Sequence, residues 1–282
     1  MKLEFGLPTP LEYFETLVRR DEPRLLLEAA ISLGQDADPQ LDVQGALYQF
    51  ERMLKLLREC VPWGSDGTQR LTILNQFFYA DLGYGGNHND FFHPDNSYLH
   101  RVMETRRGIP ISLGVLWLEL AHGIGLNAQG VSFPGHFLVK VQLPQGLVVQ
   151  DPLTGQGLSA VALSERLEPY LEAWGLEEDE LPPMGMFLQS ASLRDILERM
   201  LRNLKSVYQQ QGCDARVLAV INRLITLTPS NWSEYRDRGL VRMEHGQRRG
   251  AIQDLQTYAR HAESAQDLDM IKEQLAQLRA SL

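Results

Sequence analysis

The sequence has few cysteines, no excess of positive charge and no long uninterrupted apolar run. Cys60 and Cys213 are the only two cysteines in 282 residues. A disulfide framework or a cysteine metal site is therefore not expected, and a reducing compartment fits. The net charge of −9 argues against sequence-independent binding of DNA or RNA, which needs a basic surface. The most apolar run, residues 109–126, carries Glu119 and His122, so it predicts a buried globular helix rather than a membrane span.

The overall composition is that of a globular protein with more than one domain. Hydrophobic residues make up 44% of the chain and charged residues 22%. A length of 282 residues suits two domains of ordinary size. The N-terminal stretch "MKLEFGLPTP" has Glu4 and two prolines where a secretory signal would have an apolar core. We therefore expect a soluble cytoplasmic protein.

The first two segments differ in their patterns. Residues 1–68 predict a helical N-terminal segment, in which Thr9–Glu12 form a capping box with Pro10 at the first helical position. Residues 69–180 predict an α+β core with a long Gly- and Asn-rich loop at 83–97. A helix is expected in this core at Leu71–Leu82, and a hairpin of two strands at Gln129–Leu143 and Gly146–Pro152.

Residues 190–282 predict helical repeats with a period of roughly 34 residues. A repeat that begins at Trp232 has aromatic, small, small and large residues at the positions where paired helices pack. One period earlier the pattern is weaker, and Lys205 stands where Gly or Ala is usual. The residues at these packing positions are Tyr235, Gly239, Ala251 and Leu255, and, one period earlier, Leu201, Tyr208, Val217 and Ile221.

Three polar residues of the core have the order of a catalytic triad. Pro110 predicts a helix start, which places Ser112 in the first helical turn, where backbone N–H groups are free. His136 is expected at the start of a strand and Asp151 at the end of the paired strand, so the hairpin would bring them together. In a hydrolase, Ser112 would attack, His136 would act as the base and Asp151 would orient it.

Several stretches of the chain resemble a known family. "DNSYLHRVMETRRGIPISL", "FPGHFLVKV", "VVQDPLTGQGLS" and "YRDRGLVRMEHGQRRGAIQDLQTY" are similar to the transglutaminase-like superfamily, in its bacterial SirB-type branch with C-terminal tetratricopeptide repeats. The resemblance implies a papain-like α+β core with a catalytic Cys, His and Asp. His136 and Asp151 match the His and Asp positions. Ile111 or Ser112 stands at the Cys position, so the resemblance implies the fold without the nucleophile.

Four further residues are predicted to contribute to binding near this cleft. Asn87, Asn96 and Ser97 are interpreted as groups that line the pocket or staple its loop. For Arg106 and Arg107 three interpretations remain open: a solvated charge run, an ion pair with Glu104, or contact with an anionic ligand, and Arg107 is the candidate binding residue. No cofactor or metal is predicted. The possible ligand residues His88, Asp90, His93 and Asp95 lack a metal-site spacing.

These observations support three hypotheses of function. The favoured one is a non-catalytic, regulatory protein that binds a protein or peptide partner through the His/Asp-lined cleft and the repeats. The second is a hydrolase or acyltransferase that uses Ser112, His136 and Asp151. The third is an adaptor in which only the repeats matter. Neither nucleic acid nor membrane is expected as a partner, and the oligomeric state is left open.

Overall fold

The computed structural model describes residues 8–20, 22–87, 89–175, 182–262 and 267–280, without the side chains of Glu172 and Trp174. The chain divides into two compact units, residues 17–200 and residues 1–16 together with 201–282. The three-segment division predicted from the sequence remains a prediction. His88, the N-terminal stretch before Pro8 and residues 176–181 lie outside the described residues.

The N-terminal part of the chain is helical. Helix α1 spans Pro10–Val18, α2 spans Leu26–Ser32 after a short 3-10 turn, and α3 spans Val43–Cys60. The backbone N–H of Thr9 donates to the Glu12 carboxylate at 2.8 Å, and the Glu12 N–H donates to Thr9 Oγ1 at 3.3 Å. This reciprocal pair confirms the predicted capping box.

Helix α4 spans Gly67–Asn75 and continues as a π-helix over Gln76–Asp81. It begins four residues before the predicted start at Leu71. The Asp66 carboxylate accepts the Gln69 N–H at 2.8 Å, and the Gln69 side chain accepts the Asp66 N–H at 3.0 Å. This second capping box fixes the helix start.

The centre of the unit 17–200 is helix α6, Pro110–Gly123, which follows α5, Leu99–Thr105. Trp117 on α6 is fully buried, because α6 packs against α2, α3, α4, α5 and the main sheet. Two short strands, β1 (Gly85–Gly86) and β2 (Arg107–Gly108), pair in parallel, and β2 lies just before α6 in the chain. The apolar run noted in the sequence therefore forms the core helix that was predicted.

The main sheet has three antiparallel strands in the order β3, β4, β5. They span Ala128–Val131, Leu138–Leu143 and Gly146–Gln150. The prediction of one strand across Gln129–Leu143 is therefore wrong. Pro134 has no N–H to donate and Gly135 has φ 65°, so the chain turns between β3 and β4.

Helix α7, Ala160–Trp174, packs on the sheet through a cluster that joins Leu163 and Leu167 to residues of all three strands. Helix α8 spans Met184–Phe187 and α9 spans Leu193–Gln210. Of the helices in the described ranges, none has the length and apolar character needed to cross a bilayer.

The C-terminal helices form antiparallel pairs of the repeat type. They are α10 (Asp214–Leu227), α11 (Trp232–Glu244), α12 (Arg248–His261) and α13 (Leu268–Ala280). A Cβ placed on Gly239 would lie 2.7 Å from the Leu255 side chain, closer than real contacts allow. The small residue at this predicted packing position therefore lets α11 and α12 approach.

Candidate functional site

The start of α6 places Ser112 in the interior. Pro110 is the first helical residue, as predicted, and Ser112 occupies the third helical position. Its side chain is 0% exposed. Its Oγ donates to the Asn96 carbonyl at 2.6 Å and accepts the Ile109 N–H at 3.1 Å. Ser112 therefore caps the helix and ties it to the preceding loop.

Asn96 and its neighbours staple that loop from within. The Asn96 side-chain amide, which is buried, donates to the carbonyls of Asp90 (2.7 Å) and Phe91 (3.0 Å). Its Oδ1 accepts the Asn87 side-chain N–H at 3.0 Å. Ser97 is buried, and its N–H donates to the Pro94 carbonyl. Loop stapling, one of the two predicted roles, accounts for these contacts, whereas a binding role for Asn87, Asn96 and Ser97 stays a prediction.

His136 lies in the turn before β4, not at the start of a strand as predicted. The turn is held by Phe137, whose ring packs where Gly114 of α6 and Gly130 of β3 leave room. A Cβ on Gly135 would lie 1.5 Å from the Tyr170 hydroxyl, so α7 packs directly on the turn. The His136 backbone N–H donates to the Phe133 carbonyl at 3.0 Å.

Asp151 was predicted at the end of a strand and lies one residue after the last residue of β5, Gln150. Groups other than His136 bind its carboxylate. Oδ2 accepts from Arg166 of α7 at 3.0 Å, and Oδ1 accepts the Leu153 N–H at 2.9 Å. In the described part of the chain, no hydrogen bond joins His136 to Asp151 or to Ser112.

The electrostatic surroundings of His136 include two arginines. Burial lowers the pKa of His136, the charges of Arg166 and Arg199 lower it further, and Asp151 partly opposes them. Arg199 Nη1 donates to the Phe133 carbonyl at 3.1 Å. We call these four residues, His136, Asp151, Arg166 and Arg199, the His136 cluster. The lowered pKa of His136 favours the neutral imidazole over the imidazolium.

A buried amide network supports the strand end beside Asp151. The Asn75 side-chain oxygen accepts from Trp117 Nε1 at 3.0 Å and from the Gln150 amide at 3.1 Å. The Tyr79 hydroxyl donates to the Pro152 carbonyl at 3.0 Å. Burial and the Asp151 charge both raise the pKa of Tyr79. This network fixes the β5 end, and so the position of Asp151.

The sequence reasoning missed Arg166, Arg199, Tyr170 and Asn75. All four lie on helices, where single polar residues carry no local signal. The packing of α7 and α9 brings Tyr170 and Arg199 to the turn and Arg166 to Asp151, and α4 brings Asn75 to the end of β5.

Arg107 is exposed, and its side chain ties the segment before α6 to the loop after the π-helix. Its Nη1 donates to the Gly83 carbonyl at 2.6 Å, and Arg106 donates in the same way to the Leu82 carbonyl. Glu104 pairs instead with Arg101 at 2.8 Å. The ion-pair interpretation of Arg106 and Arg107 with Glu104 is therefore wrong, and the anionic-ligand interpretation remains open.

Neither cysteine lies at the start of α6. Cys60 is exposed at the end of α3, and Cys213 precedes α10. Across the described ranges, no group of three or more His, Cys, Asp or Glu side chains is arranged to hold a metal ion. His88, considered as a metal ligand, falls outside these ranges.

Comparison with known proteins gives two family matches and a set of relatives that match over most of their length. Residues 44–202 match the transglutaminase-like superfamily, and residues 204–276 match a tetratricopeptide repeat family. A UPF0162 protein of Xylella fastidiosa is 36% identical over 92% of this chain and 91% of its own length. A UPF0162 protein of Vibrio cholerae is 27% identical over 89% and 91%. The UPF0162 protein YchA of Escherichia coli K12 is 25% identical over 80% and 82%.

No solved structure matches the chain. The two family matches confirm the predicted order of a transglutaminase-like α+β domain followed by tetratricopeptide-type helices. The chain belongs to the transglutaminase-like superfamily and, within it, to the UPF0162 family.

Proposed function

We propose that this protein is a non-catalytic member of its superfamily that binds a protein or peptide partner. The observation that carries the proposal is the state of Ser112, whose hydroxyl is fully buried and committed to backbone groups. A serine nucleophile needs an adjacent base and access to its substrate, and Ser112 has neither here.

The binding surface of the transglutaminase-like domain is, in this proposal, the His136 cluster. Because Arg166 holds the Asp151 carboxylate, that carboxylate is not orienting the imidazole as a triad aspartate would. A neutral imidazole beside two guanidinium groups can instead donate and accept hydrogen bonds with polar groups of a peptide. The repeats supply a second surface, since tetratricopeptide helices generally mediate contacts between proteins. We also propose a cytoplasmic location, on the basis of the two unpaired cysteines.

Labelling with electrophiles tests the absence of catalysis. The full chain would be treated with serine-directed and thiol-directed reagents and its intact mass recorded, beside Ser112→Ala and His136→Ala. We expect no stoichiometric adduct at Ser112 and only slow general reaction at Cys60 and Cys213. An adduct that disappears in both variants would establish a serine nucleophile, and the proposal would be wrong.

A further inference from the structure

A groove on the transglutaminase-like domain lies well away in sequence from the His136 cluster. It runs between α3, the end of the π-helix and the end of α5, and has a volume of about 230 Å³. Its lining residues are Gln49, Arg52, Met53, Leu56, Leu82, Tyr84, Met103 and Arg106. None of these eight residues is acidic.

The apolar part of the groove contains adaptable side chains. Met53 and Met103 contribute thioethers, which fit differently shaped apolar partners because the side chain is unbranched and polarizable. The Tyr84 hydroxyl contacts Met53 Sδ at 3.6 Å. Leu56 is 54% exposed although it is a large apolar residue. An apolar side chain of a partner could cover this surface.

Arg52 brings an unpaired positive charge to the groove. Its side chain is exposed, and its helical neighbours at three and four positions are Tyr48, Gln49, Lys55 and Leu56, which carry no negative charge. It forms no ion pair within the described ranges. The net charge of the chain is −9, so an unpaired positive charge on its surface contrasts with the negative charge of the whole.

Arg106 brings a second guanidinium at a cost in backbone strain. Its φ of 58° makes it the one non-glycine residue with positive φ among those the structure describes. This left-handed conformation is strained for a residue with a Cβ, and glycine would avoid the strain. One N–H of its guanidinium donates to the Leu82 carbonyl, and Arg106 forms no ion pair with the acidic residues that the structure describes. Burial raises the pKa of the groove residue Tyr84 to about 12, while the Arg106 charge opposes the rise, which places that charge beside the groove.

We propose that this groove docks an acidic amphipathic segment of a partner protein. An apolar side chain of the segment packs on Met53 and Met103, and a neighbouring carboxylate binds Arg52 and Arg106. Charge complementarity carries the choice of occupant, because the groove has two arginines and no acid. The groove shares no residue with the His136 cluster, so this inference stands or falls independently of the absence of catalysis.

Selection from random peptides tests the groove without assuming a partner. Twelve-residue peptides displayed on phage would be selected on the full chain and counter-selected on Arg52→Glu. We expect the enriched sequences to combine Asp or Glu with Leu, Met or Phe. Enrichment without acidic residues, or failure to enrich any sequence over the variant, would overturn the proposal.

Affinities of one enriched peptide then locate the site. We expect Arg52→Glu and Arg106→Gly each to raise the Kd about tenfold, which corresponds to about 1.4 kcal/mol of binding free energy. The matched control is Lys55→Glu, which makes the same charge change on α3 outside this groove and should alter the Kd by less than about twofold. Arg106→Gly suits the positive φ but removes the hydrogen bond to the Leu82 carbonyl, so circular dichroism of this variant is recorded to establish that its fold is kept. An equal loss in Lys55→Glu would show general electrostatic attraction and contradict a docked segment.

Discussion

At the scale of single residues, the first turn of α6 carries a structural serine, Ser112. Ser112 satisfies the Ile109 N–H at the helix start and binds the Asn96 carbonyl of the preceding loop. Gly108 is fitted to this role, since a Cβ there would lie 2.6 Å from Ser112 Oγ. The Ser112 hydroxyl therefore caps the first turn of α6 and is not exposed to a substrate.

Ser112→Ala is therefore expected to destabilise the protein. The change removes the acceptor of a buried N–H and the donor to a buried carbonyl, which costs about 1–3 kcal/mol in free energy of unfolding. Urea unfolding followed by circular dichroism measures the loss. Ser164→Ala is the matched control, because its exposed hydroxyl bonds only within α7. If the two variants prove equally stable, the hydroxyl of Ser112 is not a structural cap.

At the scale of elements, a buried ion cluster joins α9 to α11 within the compact unit that contains residues 201–282. The Lys205 ammonium lies 2.6 Å from Glu234 and 2.7 Å from Asp237. Glu234 is only 1% exposed. Lys205 departs from the repeat pattern at a position where Gly or Ala is usual, and these two carboxylates explain the departure. A small residue is not needed at this position, because the long Lys205 side chain reaches from α9 to the carboxylates on α11.

Lys205→Met is expected to destabilise the repeat unit by about 3 kcal/mol, because it leaves a buried carboxylate without its closest cation. The second change Glu234→Gln, made together with Lys205→Met, should recover part of the loss. Thermal and urea unfolding of the full chain measure both effects. Lys272→Met is the control, since its ammonium is 3.7 Å from an exposed Asp269 and should matter little. Equal effects at Lys205 and Lys272 would contradict a cooperative buried cluster.

At the scale of the whole molecule, buried titratable groups link stability to pH in opposite directions. Burial lowers the pKa of His100 and His136, so the unfolded chain binds more protons and their contribution is lost as pH falls through about 6.5. Burial raises the pKa of Glu119 on α6 from 4.5 to about 7. Its contribution is therefore full below pH 4.5 and is lost as pH rises towards 7.

Glu119→Gln isolates the carboxylate effect, because both histidines remain. We expect the free energy of unfolding of the variant, relative to the natural protein, to increase by about 3 kcal/mol between pH 4.5 and pH 8, the equivalent of this pKa difference. Urea unfolding at four pH values across that range provides the measurement. A difference between the two proteins that stays constant with pH would show that Glu119 is ionised in the folded state at its ordinary pKa.

The sequence predicted those features that depend on local patterns. Pro110 marks the start of α6, Thr9 and Glu12 form their capping box, and Gly239 permits the close approach of α11 and α12. The prediction from the sequence was wrong where a turn interrupts a stretch that was predicted as one strand. One strand was predicted across Gln129–Leu143, but the Pro134–Gly135 pair turns the chain between β3 and β4.

The sequence by itself determined the family, the order of the domains and the absence of a cysteine at the start of α6, since each is a matter of residue identity and spacing. The tertiary structure alone decided the partners of the polar groups. Arg166 and Arg199 reach the turn of His136 from distant helices, and the left-handed backbone of Arg106 places a charge beside the groove. Such pairings follow from helix packing, because side chains far apart in sequence meet only when the core is formed.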